Sequence, residues 1–238
     1  MSSQVGKLGP EVILTVILYG SSSRDPSGVE ERFSKDAVEQ RRLELQLRPR
    51  IPIEAMASME AKTRWMDQFL KSIGTDVKHS RNWRCEFCSE HARETIWMNA
   101  SWLHLQPPRQ NAYVHNVCNS FEGPCADYLE QVNKDMAVLT GMPGQSKGGT
   151  RNSRRPPPGS VYPMSATCIV CNNEELSSRK HLKQCTQCKV TRYCGQECQR
   201  KDWKRHKTFC KTVHDVKWVW DTNSRPDGKS GAGSNNTS

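Results

Sequence analysis

Apolar residues recur every four positions between residues 53 and 73, and this spacing predicts an amphipathic helix. The members of the stripe are Ile53, Ala57, Ala61, Trp65, Phe69 and Ile73. Residues four apart lie on one face of a helix, and Gly74 can end the helix where the stripe stops. Because such faces usually pack against a core, we interpret the stripe as structural.

The other patterns in the first 140 residues are weaker and favour helices. Residues 10–19 form an apolar run that fits a strand or a helix, and Pro10 and Gly20 favour the helix. Residues 29–42 are predicted to be helical because apolar residues lie four apart. A further helix is expected to begin at Cys125. We therefore predict that this part of the chain is mostly α-helical.

Seven cysteines and one histidine between residues 168 and 210 predict two zinc sites. They form four close pairs: Cys168-x2-Cys171, Cys185-x2-Cys188, Cys194-x3-Cys198 and His206-x3-Cys210. Zinc prefers four thiolate or imidazole ligands, so eight ligands correspond to two ions. Every position is Cys or His, which leaves no open place for a catalytic water. So short a segment buries too little apolar surface to fold alone, so folding should require the metal.

Four more cysteines lie upstream in two further pairs. These are Cys85-x2-Cys88 and Cys118-x6-Cys125. They could close a third zinc site, which would be structural because four thiolates fill the coordination shell. The alternative is that they are free thiols in a small core.

Composition divides the chain into regions. Only 35% of the residues are hydrophobic, which is low for a fully packed protein. We predict a mostly helical domain over residues 1–140, a Gly/Pro-rich basic linker over 141–164, a zinc finger over 165–220 and a tail over 221–238. The linker and the tail are expected to be disordered, with the finger held away from the first domain. A chelator should then unfold the finger and leave the helix at 53–73.

The segment with the eight ligands resembles the MYND zinc finger family. The resemblance is carried by Tyr193-Cys194-Gly195-x2-Cys198-Gln199, by Asp202-Trp203 and by the final His206-x3-Cys210. It covers about 43 of the 238 residues. The gap of thirteen residues between Cys171 and Cys185 is longer than is usual for the family.

This resemblance implies a small α+β finger in which the ligands of two zinc ions interleave. One ion would take Cys168, Cys171, Cys194 and Cys198, and the other would take Cys185, Cys188, His206 and Cys210. Fingers of this family are generally protein-interaction modules that bind short proline-containing peptides. The resemblance assigns the peptide contact to Thr186, Gln199 and Trp203. Trp203 can also be a core residue that holds the helix onto the zinc loops.

Positive charge supports an alternative function. Residues 165–220 hold 12 Lys and Arg against 5 Asp and Glu, although the whole chain has a net charge of only +10. A basic helix and linker attract nucleic acid, so DNA or RNA binding is the second hypothesis. A solvated helix face explains the same residues without a ligand.

The sequence does not predict an enzyme. Some lysine methyltransferases carry a MYND finger inside a SET domain, but the chain has no glycine-rich cofactor loop before the finger. His115-Asn116 is reversed and isolated relative to the catalytic pair of those enzymes. No apolar run is long enough to span a membrane. The paired cysteines favour metal over disulfides and therefore an intracellular protein, in the nucleus or the cytoplasm.

Overall fold

The computed structural model describes residues 7–22, 42–88, 90–140, 150–151, 155–175 and 182–219. The predicted tail lies outside these ranges, as do half of the predicted linker (141–149 and 152–154) and all of the predicted helix 29–42 except Arg42, which begins a strand.

Twelve strands and three α-helices make up the regular structure of the described residues. In chain order, the strands are β1 (Leu8–Glu11), β2 (Ile13–Tyr19), β3 (Ser21–Ser22), β4 (Arg42–Leu47), β5 (Arg50–Pro52), β6 (Trp83–Arg84), β7 (Glu94–Trp102), β8 (Arg109–Val117), β9 (Thr150–Arg151), β10 (Lys183–Gln184), β11 (Arg192–Tyr193) and β12 (Val213–Val219). The helices are α1 (Met59–Lys78), α2 (Pro124–Thr140) and α3 (Gln196–Thr212), and a 3-10 helix spans Ile53–Ala57. None of the described helices is long and apolar enough to cross a membrane.

A six-stranded sheet in the order β12-β4-β2-β8-β7-β9 forms the centre of the molecule. Strands β2 and β8 are parallel, and the other neighbours are antiparallel. Three two-stranded pairs accompany it: β1 with β5, β3 with β6, and β10 with β11. The prediction of a mostly α-helical domain is therefore wrong.

The helix predicted for residues 10–19 is also wrong, because most of that segment is strand β2. Leu14, Val16 and Leu18 are completely buried and alternate with half-buried residues. They lie opposite the leucines of β4, as in the pair between Val16 and Leu45. A period of two with β-branched residues is the pattern of a half-buried strand. Gly20 directly follows this strand, and Pro10 lies within the preceding strand β1.

The helix predicted for residues 53–73 is confirmed, with shifted ends. Residues 53–57 form the 3-10 helix, and α1 begins after Ser58, whose hydroxyl accepts a hydrogen bond from the Ala61 N–H. Its buried apolar face consists of Met66, Phe69, Leu70, Ile73 and Val77, whereas Ile53 at the start of the predicted stripe is exposed. Gly74 is buried within the helix, which continues to Lys78.

The finger is packed against the sheet and is not held apart from it. Strand β12 follows α3 directly and pairs with β4, and the Arg48 N–H donates to the Thr212 carbonyl over 2.7 Å. Phe209 and Cys210 belong to the same hydrophobic core as the leucines of β2 and β4. The predicted region 165–220 thus contributes an edge strand to the central sheet.

Described parts of the predicted linker are ordered as well. Strand β9 pairs with β7 at Ile96 and Trp97. The Arg93 guanidinium donates to the Tyr162 carbonyl over 2.6 Å and pairs with Glu174 beyond it. These contacts fix the chain that enters the finger against β7.

Candidate metal centres and the finger groove

Four cysteines form the first candidate metal centre of the finger, here the outer cluster: Cys168, Cys171, Cys194 and Cys198. Their sulfur atoms all lie within 4.8 Å of one another. Cys168 and Cys171 lie on a turn closed by the Asn172 N–H and the Cys168 carbonyl, and Asn172 has a left-handed φ of 51°. Cys194 follows β11 and Cys198 lies in the first turn of α3. The Cys171 side of this cluster is exposed.

The second centre, here the inner cluster, consists of Cys185, Cys188, His206 and Cys210, and all four are buried. The Cys185 and Cys210 sulfurs are 3.9 Å apart, and the Cys188 sulfur is 3.7 Å from the His206 Nε2. A zinc tetrahedron with metal–sulfur bonds of ~2.3 Å has edges of roughly 3.8 Å, so these donors suit the ion. The structure thus groups the ligands in the two interleaved sets that the resemblance implies.

The remaining cysteines, Cys85, Cys88, Cys118 and Cys125, also meet in one group, here the N-terminal cluster. Each of the eleven cysteines therefore belongs to a cluster of four donors that could hold a metal ion.

Asp76 of α1 positions the histidine of the inner cluster. The His206 Nδ1 donates to Asp76 Oδ1 over 2.7 Å, which turns Nε2 towards Cys188. A carboxylate on the far nitrogen of a zinc-bound histidine fixes the tautomer and the ring orientation. Asp76 is completely buried and comes from outside the finger. It therefore links α1 directly to a metal centre.

Further donors complete the environment of Asp76. The Thr191 hydroxyl donates to Asp76 Oδ1 over 2.8 Å, and the Arg205 guanidinium contacts both carboxylate oxygens. Burial opposes the charge on Asp76, yet the hydrogen bonds from His206 and Arg205 hold the pKa of its carboxyl below the usual range. Arg205 also binds Asp202, which accepts a hydrogen bond from the Tyr193 hydroxyl. These bonds form one network between α1, β11 and α3.

Asp76 is a functional residue that was not predicted from the sequence. The sequence feature that could have indicated it is a carboxylate on the buried face of the helix, between Ile73 and Val77. A buried acid at a core position requires partners of its own, but the partners lie more than a hundred residues further along the chain.

His79, just after α1, is hydrogen-bonded to the segment that leads into the finger. Its Nδ1 donates to the carbonyl of Thr167 over 3.0 Å, next to the first cysteine of the outer cluster. Burial and the charge of Lys78 lower the pKa of His79 to about 4. The folded protein therefore keeps this imidazole neutral near pH 5, where an exposed histidine is charged.

His79→Gln is expected to reduce the loss of stability in mild acid. The unfolded chain protonates His79 near pH 6.5, whereas the folded chain does so only near pH 4, so stability falls as the pH drops through this interval. The full difference is about 3 kcal/mol, of which about 2 kcal/mol is lost between pH 7.5 and pH 5. Glutamine keeps an N–H donor for Thr167 and does not titrate. Urea unfolding of both proteins at pH 7.5 and 5 measures the effect.

Both proteins keep the same cysteines and His206, so acid-induced loss of zinc largely cancels in this comparison. Equal pH dependence of the free energy of unfolding in the two proteins would contradict the assignment to His79.

A shallow groove of about 300 Å³ lies on the exposed side of α3. It is lined by Gln196, Gln199, Arg200 and Trp203. The Trp203 ring packs at a tilt against His206, with 6.1 Å between the ring centroids, yet 39% of the residue stays exposed. Thr186 is exposed between Cys185 and Cys188 and does not line the groove. The structure thus brings together two of the three predicted peptide-contact residues.

A sequence model of the MYND finger family matches residues 168–210. SET domain-containing protein 14 from Caenorhabditis elegans is 51% identical over 41 residues, which cover 17% of this chain and 10% of that protein. Histone-lysine N-methyltransferase SMYD3 from Homo sapiens is 41% identical over 49 residues, or 21% of this chain and 11% of that one. Protein CBFA2T2 from Homo sapiens is 41% identical over 49 residues, or 18% and 8%. No solved structure matches the chain.

The chain spans about a tenth of the length of these relatives. The likeness is confined to the finger and does not reach the sheet strands β2, β4, β7 and β8. The family match and the two clusters of zinc-type donors coincide in the same residues. The chain therefore carries a MYND zinc finger at residues 168–210, a domain whose general role is protein–protein interaction.

Proposed function

We propose that the chain recruits a protein partner by binding a short proline-containing peptide in the groove on α3. The observation that carries this proposal is Trp203, which keeps 39% of its surface exposed although it is a large aromatic residue. An exposed tryptophan in a concave setting is typical of a recognition surface. The ring offers a flat apolar face to a proline side chain.

Gln199 supplies a polar contact beside this ring. It lies one turn before Trp203 on the same face of α3, and it is half-buried. Its amide can both donate to a peptide carbonyl and accept from a peptide N–H. A proline-containing segment is already extended in solution, so it loses little conformational entropy on binding.

The two clusters of the finger hold this groove in place. Cys198 of the outer cluster directly precedes Gln199, and His206 of the inner cluster follows Trp203 by three residues. Metal ions bound at both points would fix the helix on either side of the groove. A preorganised surface of this kind loses less entropy when a ligand binds.

The basic residues on α3 support the alternative function, which is nucleic-acid binding. Arg200, Lys204, Lys207 and Lys211 are exposed along this helix. Two further cations of the helix form ion pairs, Arg205 with Asp76 and Asp202, and Lys201 with Glu197 on the exposed surface. The exposed tryptophan therefore favours a peptide over a phosphate backbone as the ligand.

Trp203→Ala is expected to weaken binding to proline-containing peptides at least about 30-fold, the effect of losing a central aromatic contact. The probe is an array of proline-containing peptides with matched versions in which alanine replaces proline. Peptides selected on the array are then titrated in solution against the wild-type and variant chains. The zinc content of each protein is measured in the same samples.

Trp102→Ala is the matched control, because Trp102 on β7 is 37% exposed and lies outside the finger. It should bind the peptides like the wild type. Equal binding by the Trp203 variant, with its zinc content intact, would overturn the proposal. Binding to DNA or RNA that falls steeply with salt and survives Trp203→Ala would support the alternative.

A further inference from the structure

We propose that the N-terminal cluster binds a third zinc ion, which clamps helix α2 to the end of the central sheet. This site lies outside the residues that match the MYND family. Its donors are the sulfurs of Cys85, Cys88, Cys118 and Cys125.

The distances between these sulfurs fit a zinc tetrahedron. Cys85 and Cys125 are 3.7 Å apart, as are Cys88 and Cys118. All four sulfurs lie within 4.8 Å of one another. The edge of a zinc–thiolate tetrahedron is roughly 3.8 Å, whereas a disulfide joins sulfurs at ~2.05 Å. The cysteines are thus spaced as ligands around a common centre.

Backbone hydrogen bonds hold the first pair in a knuckle between β6 and β7. The Cys85 N–H donates to the Glu90 carbonyl over 2.8 Å, and the Glu86 N–H donates to the Asn116 carbonyl of β8 over 2.8 Å. The loop is thereby closed on itself and tied to the strand that leads to Cys118. Such a turn lets two cysteines, three positions apart, face one ion.

The second pair comes from the connection between β8 and α2. Cys118 follows β8 directly, and the Asn119 side chain accepts hydrogen bonds from the N–H groups of Phe121 and Glu122. This turn brings Cys125 into the first turn of α2.

Helix α2 also packs on a small hydrophobic core. Leu129 is buried with Phe87, Ile96 and Val117, Val132 packs beside them, and the Tyr128 ring stacks on Phe87. A structural zinc site stabilises a fold more than an apolar cluster of this size does. Cys85 is a buried member of this core and the other three cysteines pack against it, so a metal at their centre would attach the helix through Cys125 in addition to the apolar contacts.

The chemistry of the four donors indicates which metal ion binds and that its role is structural. Four sulfur ligands suit zinc and exclude the oxygen-preferring calcium and magnesium ions. Four thiolates also leave no coordination position for water, so the ion is structural. Zinc binding displaces the thiol protons, and no redox partner is needed.

The first test is the zinc content of the purified full-length chain, measured by elemental analysis and native mass spectrometry. We expect three zinc ions per chain in the wild type and two in Cys125→Ser. Hydrogen exchange should then show at least about tenfold less protection across residues 124–140 in the variant. Cys171→Ser is the matched control, because it removes a ligand of the outer cluster instead.

Cys171→Ser should also lower the count to two ions but leave the protection of residues 124–140 unchanged. The wild-type count is independent of how well either variant folds. A wild-type protein with two zinc ions, iron in place of the third zinc, or a Cys125→Ser protein that still holds three would each overturn the proposal.

Discussion

Cys210→Ser is expected to remove one zinc ion and to unfold the sheet together with the finger. Cys210 is a buried member of the inner cluster and lies in the core shared with β2, β4 and α1. A structural zinc site contributes ~10 kcal/mol or more, which is comparable to the whole stability of a typical domain, ~5–15 kcal/mol. Far-UV circular dichroism and a zinc count of the purified variant measure the effect.

Cys171→Ser is the control for this prediction, because Cys171 is the exposed member of the outer cluster. Cys171→Ser should remove one zinc ion and disorder residues 168–175. Its sheet should stay folded and should unfold in one cooperative transition only when denaturant is added. The structure also changes the expectation that a chelator spares the helix at 53–73, since that helix packs on the inner cluster. A Cys210→Ser protein with a native sheet signal would show that the finger and the sheet are energetically separate.

Asp76→Ala is expected to have the second largest effect. It leaves the buried Nδ1–H of His206 and the Thr191 hydroxyl without their acceptor, whereas the partly exposed Arg205 keeps its pair with Asp202. A buried donor left without its partner costs about 1–3 kcal/mol. Loss of the carboxylate behind a zinc-bound histidine typically lowers metal affinity about 10–100-fold. A competition titration against a chelator measures zinc affinity, and urea unfolding measures stability.

Asp67→Ala is the matched control, because Asp67 is an exposed acid on the same helix. It makes the same change in side chain without touching the inner cluster, so both measurements should stay at wild-type values. If Asp76→Ala binds zinc as tightly as Asp67→Ala, then His206 is oriented without its carboxylate. The isolated segment 165–212 lacks Asp76 and should show a similar loss of affinity.

The zinc donors could be grouped from the sequence because the spacing is local and chemically specific. A pair such as Cys185-x2-Cys188 fits a single turn, and His206-x3-Cys210 fits one helix face. The spacing does not show which two pairs bind the same ion. The family resemblance predicted that assignment, and the geometry of the structure agrees with it.

Helix α1 was predictable because its apolar residues recur over five turns. Strand β2 was not, since a short apolar run bounded by Pro10 and Gly20 suits either a helix or a strand. What decides its conformation is the pairing with β4 on one side and β8 on the other. Those contacts are distant in sequence, so no local pattern shows them.

Strand β12 and Asp76 were missed for the same physical reason. Edge strands carry fewer buried residues, and β12 is fixed by its ladder with β4 rather than by its own apolar pattern. In the sequence, Asp76 does not differ from any other acidic residue of a helix. Its role becomes evident only from its contacts with His206 and Arg205. Long-range polar contacts of this type have no sequence period.

The pairing of β12 with β4 also sets the order in which the chain can fold during synthesis. Strand β4 leaves the ribosome long before β12, so one edge of the sheet stays open until the finger has been made. Pairing between such distant strands is slow, and an open edge can pair with another chain. A cell short of zinc would therefore accumulate an unfolded, aggregation-prone chain rather than a folded protein that merely lacks its finger.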